Sequence, residues 1–201
     1  MKIDIEDIKY WMDTIRNSED RDQILESFWG GQLFSKQWLV ETLETRGHFV
    51  NANIIIHGGW NGVLANMLFN SNLGIGHITS VDIDPKCEYI AKSINKKYEQ
   101  QGKFTAVTCD MCDYEYDNRV DIIINTSCEH ITQEQYDKWL SNAPNAMFVL
   151  QSNNYFTHST HINCSKDLKE FESKSKCKIE YSGEYQPPYV KYTRYMIIGS
   201  K

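Results

Sequence analysis

The spacing of hydrophobic and polar positions along the chain changes character twice. Over the first fifty residues the period is helical: Ile8, Trp11, Met12 and Ile15 recur three and four apart, and Ile24, Phe28 and Leu33 mark a second, less regular segment. Ser35 stands where it can cap a third helix carrying Trp38, Leu39 and Leu43 and ending near Gly47. From residue 53 onward, short β-branched runs alternate with helical stretches. Residues 53–56, 77–82, 104–109, 121–125 and 146–151 read as strands. Between them, residues 63–69 suit a helix, Pro85 opens another through Cys87, Ile90, Ala91 and Ile94, and Thr132 caps one containing Tyr136, Trp139 and Leu140. Residues 178–185 and 191–198 read as two further strands, joined by a segment with Pro187 and Pro188 that is too irregular for a two-residue hairpin turn. Strands alternating with helices imply an α/β fold, a mostly parallel sheet covered on both faces and closed by an antiparallel pair. The expected organisation is an N-terminal helical cap or lid over residues 1–48 and one α/β domain over residues 49–201.

Length and composition agree with that organisation. The 201 residues fit one domain and can bury a core without staples, and 41% hydrophobic with 24% charged residues is ordinary globular composition. A net charge of −6 disfavours broad binding to nucleic acid or anionic membrane. The first residues lack the basic, then apolar, run of a signal peptide, and no stretch reaches transmembrane length, so a cytoplasmic location is expected. The cysteines at 87, 109, 112, 128, 164 and 177 are therefore read as reduced thiols. Cys109 and Cys112 form a C-x-x-C with no second pair at zinc-ribbon spacing.

The first chemical signal is strand, glycine turn, helix at residues 54–65, with Gly58, Gly59, Trp60 and Gly62 in the turn. Glycine there permits unusual backbone angles and close approach of a ligand. About 20 residues on, Asp82 closes the next strand, where a carboxylate can accept hydrogen bonds from ribose hydroxyls. Asp84 is placed to cap the helix that Pro85 opens.

Together these segments resemble the class I S-adenosylmethionine (SAM)-dependent methyltransferase superfamily over residues 50–155. HGGWNG stands in the place of that family's glycine-rich first motif, and SVDIDP resembles the second, with Asp82 at the ribose position and Ile83 beside it. Cys109-Asp110-Met111 resembles the third, whose acid holds the adenine amino group and whose next residue lends its backbone. Residues 121–125 resemble the fourth strand, placing Asn125 near the sulfonium. The resemblance implies a Rossmann-like, doubly wound, mostly parallel seven-stranded sheet with an antiparallel last strand, and SAM as cofactor. Two positions depart from the family pattern. Ile56 replaces an acid that holds the cofactor's amino group, and Trp60 replaces a glycine, putting an indole either beside the pocket or under the helix.

Candidate acceptor chemistry follows the fourth strand. Asn125, Glu129 and His130 are the catalytic candidates: the imidazole takes a proton from the attacking atom while Glu129 orients it or holds an amine, or the pair merely caps the helix after Thr132. Thr126, Ser127 and Cys128 stand where adenine and glutamine methyltransferases often carry prolines and an aromatic, which disfavours those acceptors. Residues 151–164 are dense in amides and imidazoles, and Ser127, Asn153, Tyr155 and His161 are expected to bind substrate. His130, His158, His161 and Cys164 lack the spacing of a metal site, and no metal is expected. The alternation Lys191-Tyr-Thr-Arg-Tyr195 suits either a nucleic-acid surface or one strand face shared by Tyr192 and Arg194. Phe28, Trp29 and Trp38 are candidates for a lid. The expected activity is methyl transfer to N or O of a small polar acceptor by a monomer or homodimer away from membranes. Aminocarboxypropyl transfer, methylation of a nucleic acid such as tRNA, and a catalytically silent SAM-binding module are the alternatives.

Overall fold

Strands whose alternate residues are both apolar need a helical layer on each side, and that requirement shapes the molecule. In the computed structural model, which describes residues 4–116 and 119–201, the helices α1 (Ile5–Asn17), α2 (Arg21–Ser27) and α3 (Gly30–Thr45) lead into β1 (Ala52–His57). There follow α4 (Val63–Phe69), β2 (Ile75–Asp82), α5 (Pro85–Ile94), α6 (Lys96–Gln100), β3 (Phe104–Thr108) and β4 (Ile122–Asn125). Then come α7 (Gln133–Asn142), β5 (Met147–Asn153), α8 (Leu168–Ser175), β6 (Lys178–Tyr185) and β7 (Arg194–Ser200). The seven strands form one sheet in the order β3-β2-β1-β4-β5-β7-β6. The first five strands run parallel, and β7 lies antiparallel between β5 and β6. The expected mostly parallel, doubly wound sheet is therefore the one present.

Period-two alternation divides the core. Ile122 and Ile124 of β4, Val149 of β5 and Met196 and Ile198 of β7 face one cluster, shared with Ile24, Leu39, Val40 and Leu43 of α2 and α3. Ile123, Phe148, Leu150 and Ile197 face the other, where Trp139 of α7 and Phe171 of α8 cover them. Where the strand order reverses, β1 and β4 lie side by side with their C-terminal ends together, the place at which open α/β sheets bind ligands.

Several boundaries differ from the sequence expectation. Ser35 does not cap α3: the helix begins at Gly30, takes in Leu33, and the Ser35 hydroxyl donates back to the Gly31 carbonyl at 2.5 Å. Gly31 leaves room for Tyr192, into whose hydroxyl a Cβ would run. β7 starts at Arg194 rather than 191, because its partners β5 and β6 end opposite it at Asn153 and Tyr185. Tyr192 therefore precedes the strand instead of sharing a face with Arg194. The helix α8 escapes the pattern, having Leu168 and Phe171 as its apolar positions, although Asp167 caps it through the Glu170 N–H. Thr132 does cap α7, reciprocally with Gln135. Among the described residues no helix is long and apolar enough to cross a membrane.

His57, at the end of β1, is fully buried among Tyr114, Tyr116 and Trp139, with Nε2 at 2.8 Å from the Tyr116 hydroxyl. Burial pushes its pKa down from 6.5 to about 3. Between those values the unfolded chain binds a proton that the native imidazole refuses, so stability falls as pH falls through that window. The expected slope from this residue is up to about 1.4 kcal/mol per pH unit. Urea denaturation at several pH values checks it, and His57→Gln is expected to flatten the dependence.

Candidate functional site

The chain crosses the strand ends with left-handed backbone after β1: Gly58 has φ +63°, Trp60 +48° and Gly62 +73°. A Cβ on Gly58 would lie 2.9 Å from the Ser127 hydroxyl, so this turn and the loop after β4 touch only because Gly58 has none. Trp60 takes the backbone conformation that a glycine adopts freely and a tryptophan rarely does. Its N–H donates to Asp82 Oδ2 at 2.7 Å, and the Asp84 N–H donates to Asp82 Oδ1 at 3.1 Å. Asp82 thus fastens the turn to the end of β2 with lone pairs to spare. Asp84, as expected, caps α5 through the Lys86 N–H.

These segments enclose a cavity of about 740 Å³ at the C-terminal ends of the strands. Gly58, Gly59, Trp60, Asp82, Ile83, Asp110 and Met111 line one part of it, so Trp60 stands beside the pocket and not under the helix. Asp110 accepts from the Cys112 N–H at 2.8 Å. Two of the expected contact residues are placed elsewhere. Gly62 caps α4 against α5, where a Cβ would meet Asn95 and Ala91, and it does not line the cavity. Asn125 is buried beneath it. Its Oδ1 takes the Ser127 N–H at 2.9 Å and its Nδ2 reaches Met111 Sδ at 3.4 Å, so it holds the loop rather than presenting itself to a ligand. Burial raises the Cys109 and Cys112 thiols, and all six cysteines are free.

The opposite part of the cavity is lined by Ser127, Glu129, His130, His158, His161 and Arg194. Glu129, on a 3-10 turn over Cys128–His130, is only 2% exposed. Its Oε1 accepts from Arg194 Nη1 at 2.6 Å and from Asn153 Nδ2 at 2.5 Å. It therefore does not orient His130, whose Nδ1 instead lies 3.1 Å from the Thr160 hydroxyl. The backbone N–H groups of Ile162 and Asn163 donate to the Glu129 carbonyl and bring the 154–167 loop to the cavity. Asn153 stands behind Glu129, and Tyr155 stacks on Tyr192 at 5.2 Å while its carbonyl meets His161 Nδ1 at 2.9 Å. Neither lines the cavity, so both support residues that do. Burial lowers the pKa of His130 and of His161, disfavouring their protonated forms. Among the described residues, Glu129, His130 and His161 each place a donor atom within 4.8 Å of the other two. Spacing along the chain gives no hint of this grouping, and Cys164 is not in it.

The N-terminal helices complete the wall with Glu26, Gln32 and Lys36. These are not the aromatic residues expected there. Phe28 packs on Trp11, Trp38 on Tyr185, and Trp29 is 73% exposed, so the core and solvent take them. Lys36 Nζ donates to Gln32 Oε1 at 3.0 Å and sits 5.9 Å from the Trp60 ring. Burial brings its pKa down from 10.5 to about 7, with Arg194 adding to the effect. A sequence signal existed: Lys36 precedes Leu39, Val40 and Leu43 at core-facing spacing.

No protein-family model matches the chain, and no curated protein matches it. Solved structures do. N-methyltransferase NodS from Bradyrhizobium japonicum WM9 in complex with S-adenosyl-L-homocysteine (SAH) superposes with a TM-score of 0.67 at 11% identity, over 94% of this chain and 98% of that one. Magnesium protoporphyrin IX methyltransferase from Synechocystis PCC 6803 with bound SAM gives 0.62 at 14%, over 96% and 91%. M. capricolum TrmK in complex with SAH gives 0.59 at 14%, over 84% and 68%. At such identities the likeness is one of fold.

Arg194→Met leaves Glu129 buried without its cation and is expected to cost roughly 3–5 kcal/mol of stability. Glu129→Gln combined with Arg194→Met should recover most of that loss. Chemical denaturation of the single and double variants measures both.

Proposed function

We propose that this chain, which has the class I SAM-dependent methyltransferase fold, binds SAM in its strand-end cavity and methylates nitrogen or oxygen of a small polar acceptor. The observation that carries the reading is the wall formed by the Gly58–Trp60 turn and Asp82, locked together by the Trp60 N–H. Its donor set suits an adenosine: Asp82 offers lone pairs to ribose hydroxyls, Asp110 accepts from an exocyclic amine, and Ile83 and Met111 supply apolar contact. At the amino-acid end, Glu26 suits an ammonium and Lys36 a carboxylate, which compensates for Ile56 standing where the family has an acid. When bound, SAM supplies the activated methyl group.

The chain's own contribution is placement and exclusion of water. The N-terminal helices, through Glu26, Gln32 and Lys36, close the amino-acid end, while the α/β domain from β1 onward carries the nucleoside and acceptor sides. At the acceptor end, Ser127, the imidazoles of His130 and His161, and the Glu129 carboxylate face the space left for the substrate. They suit an acceptor that offers N–H or O–H groups. A nucleic-acid substrate has less support, because Arg194 in the aromatic–basic run is buried against Glu129 and the net charge is −6. Aminocarboxypropyl transfer drew on the missing acid at Ile56, and Glu26 with Lys36 removes that motive. SAH as product signals methyl transfer, and methylthioadenosine signals the alternative.

Calorimetric titration with SAH tests the cofactor. Wild type is expected to bind, and Asp82→Ala to bind at least tenfold more weakly, a change on the order of 1.4 kcal/mol. Absence of binding by folded wild type would sink the proposal. Lys36 adds a pH signature. With a pKa of about 7 it is largely protonated below that pH and pairs with the ligand carboxylate. Above it, binding must recruit a proton, and SAH affinity is expected to fall by up to roughly tenfold per pH unit. Lys36→Met should bind more weakly with a flat pH profile between 6 and about 8.5.

A further inference from the structure

The lone pairs at the acceptor end are more than one substrate N–H or O–H can use. His161 Nδ1 lies 2.9 Å from the Tyr155 carbonyl, which only accepts, so Nδ1 carries the proton and Nε2 keeps its lone pair. The Thr160 hydroxyl, with one proton to give, lies 3.1 Å from His130 Nδ1 and 2.9 Å from His158 Nδ1. The Thr160 N–H also points at His158 Nδ1, marking that nitrogen as the acceptor. The hydroxyl has one proton for the two imidazoles, and the tautomer in which His158 receives it makes His130 Nδ1 the donor to the hydroxyl and leaves His130 Nε2 with a lone pair. Glu129 spends Oε1 on Arg194 and Asn153, while Oε2 is buried with no partner in a side chain 2% exposed. An unpartnered carboxylate oxygen in such a place is costly unless something occupies the space before it.

We infer that Glu129, His130 and His161 form a binding site for a divalent transition-metal cation. Two imidazoles and a carboxylate suit Zn²⁺, Mn²⁺, Fe²⁺ or Co²⁺ and not the all-oxygen preference of Ca²⁺ or Mg²⁺. Donors around a tetrahedral ion lie roughly 3.3 Å apart. The three here lie within 4.8 Å, and closing the gap falls to His130, the most exposed of them. The supporting shell is in place: a carbonyl on His161, a hydroxyl on His130, and an amide with a guanidinium on Glu129. Arg194 opposes the added charge, so moderate affinity is expected. The ion's open positions face the cavity, which selects acceptors carrying an oxygen or nitrogen donor next to the methylated atom. This consequence rests on the acceptor end being as proposed above; the ion site itself does not.

Metal-stripped protein is titrated with Co²⁺, followed by visible absorption, with Zn²⁺ by calorimetry, and separately with SAH. One ion per chain is expected, with ligand-field bands free of thiolate charge transfer, bound at least roughly tenfold more weakly by His130→Ala and by His161→Ala. Both positions lie outside the core, and thermal melting verifies that the variants fold. No stoichiometric uptake, uptake indifferent to both substitutions, or thiolate bands would overturn the inference. SAH binding without Co²⁺ uptake removes the ion and leaves the cofactor reading; Co²⁺ uptake without SAH binding supports the ion and removes the cofactor.

Discussion

A carboxylate taken out of water beside the ends of three strands must find a cation and donors, and Glu129 finds them in Arg194 and Asn153. That one cluster joins the turn after β4, the last residue of β5 and the first of β7. Arg194 Nη2 also donates to the Thr126 carbonyl at 3.0 Å, and the Glu129 backbone receives the 154–167 loop. The part of the cavity lined by Ser127, Glu129 and His130 is thus organised around a buried ion pair, and the part lined by the glycine turn around Asp82. In both halves a carboxylate fixes the backbone that shapes the wall. Asp82 uses both oxygens for this and retains lone pairs, whereas Glu129 commits one oxygen and leaves the other bare.

The elements legible in the sequence were those with strong local signals. Residues 63–69, Pro85 through Ile94, and 178–185 have the limits read from periodicity and capping. Residues 53–56 and 121–125 were recognisable as β-branched runs because both faces of a parallel strand are buried. Failures occurred where tertiary contact overrode a local rule. Ser35 has an N-cap side chain, yet its carbonyl accepts from Gln151 Nε2 at 3.2 Å and its hydroxyl turns back into the helix. The strand read at 191–198 starts only at Arg194, because its neighbours end opposite that residue, and it runs on to Ser200, opposite Met147 and Lys178.

For the site, strand and turn order singled out the glycine turn and Asp82, and the family resemblance singled out Asp110; Gly58, Gly59, Asp82 and Asp110 line the cavity. Glu26, Gln32 and Lys36 were not singled out: the core-facing spacing of Lys36 signals burial, but nothing local says that a polar side chain on an N-terminal helix will be carried over the strand ends. Glu129 and His130 were singled out together, but adjacency in sequence suggested that they serve each other. The 3-10 turn separates them. Glu129 faces Arg194, 65 residues on, and His130 faces Thr160. Convergence of this kind belongs to tertiary structure and leaves no spacing to detect.

The position of β7 in the sheet has a kinetic side. β6 comes earlier in the chain but, among the described strands, pairs in the sheet with β7 alone, so it has no strand partner until β7 inserts between it and β5. Met196 and Ile198 also belong to the cluster that buries Ile24 and Leu39, more than 150 residues earlier in the chain. Contacts of such long range are slow to form, because loop-closure entropy is lost before they repay it. The strand that brings Arg194 to Glu129 is therefore the last to be synthesised among those that build the site. A nascent chain holds its glycine turn and Asp82 long before Glu129 can meet Arg194.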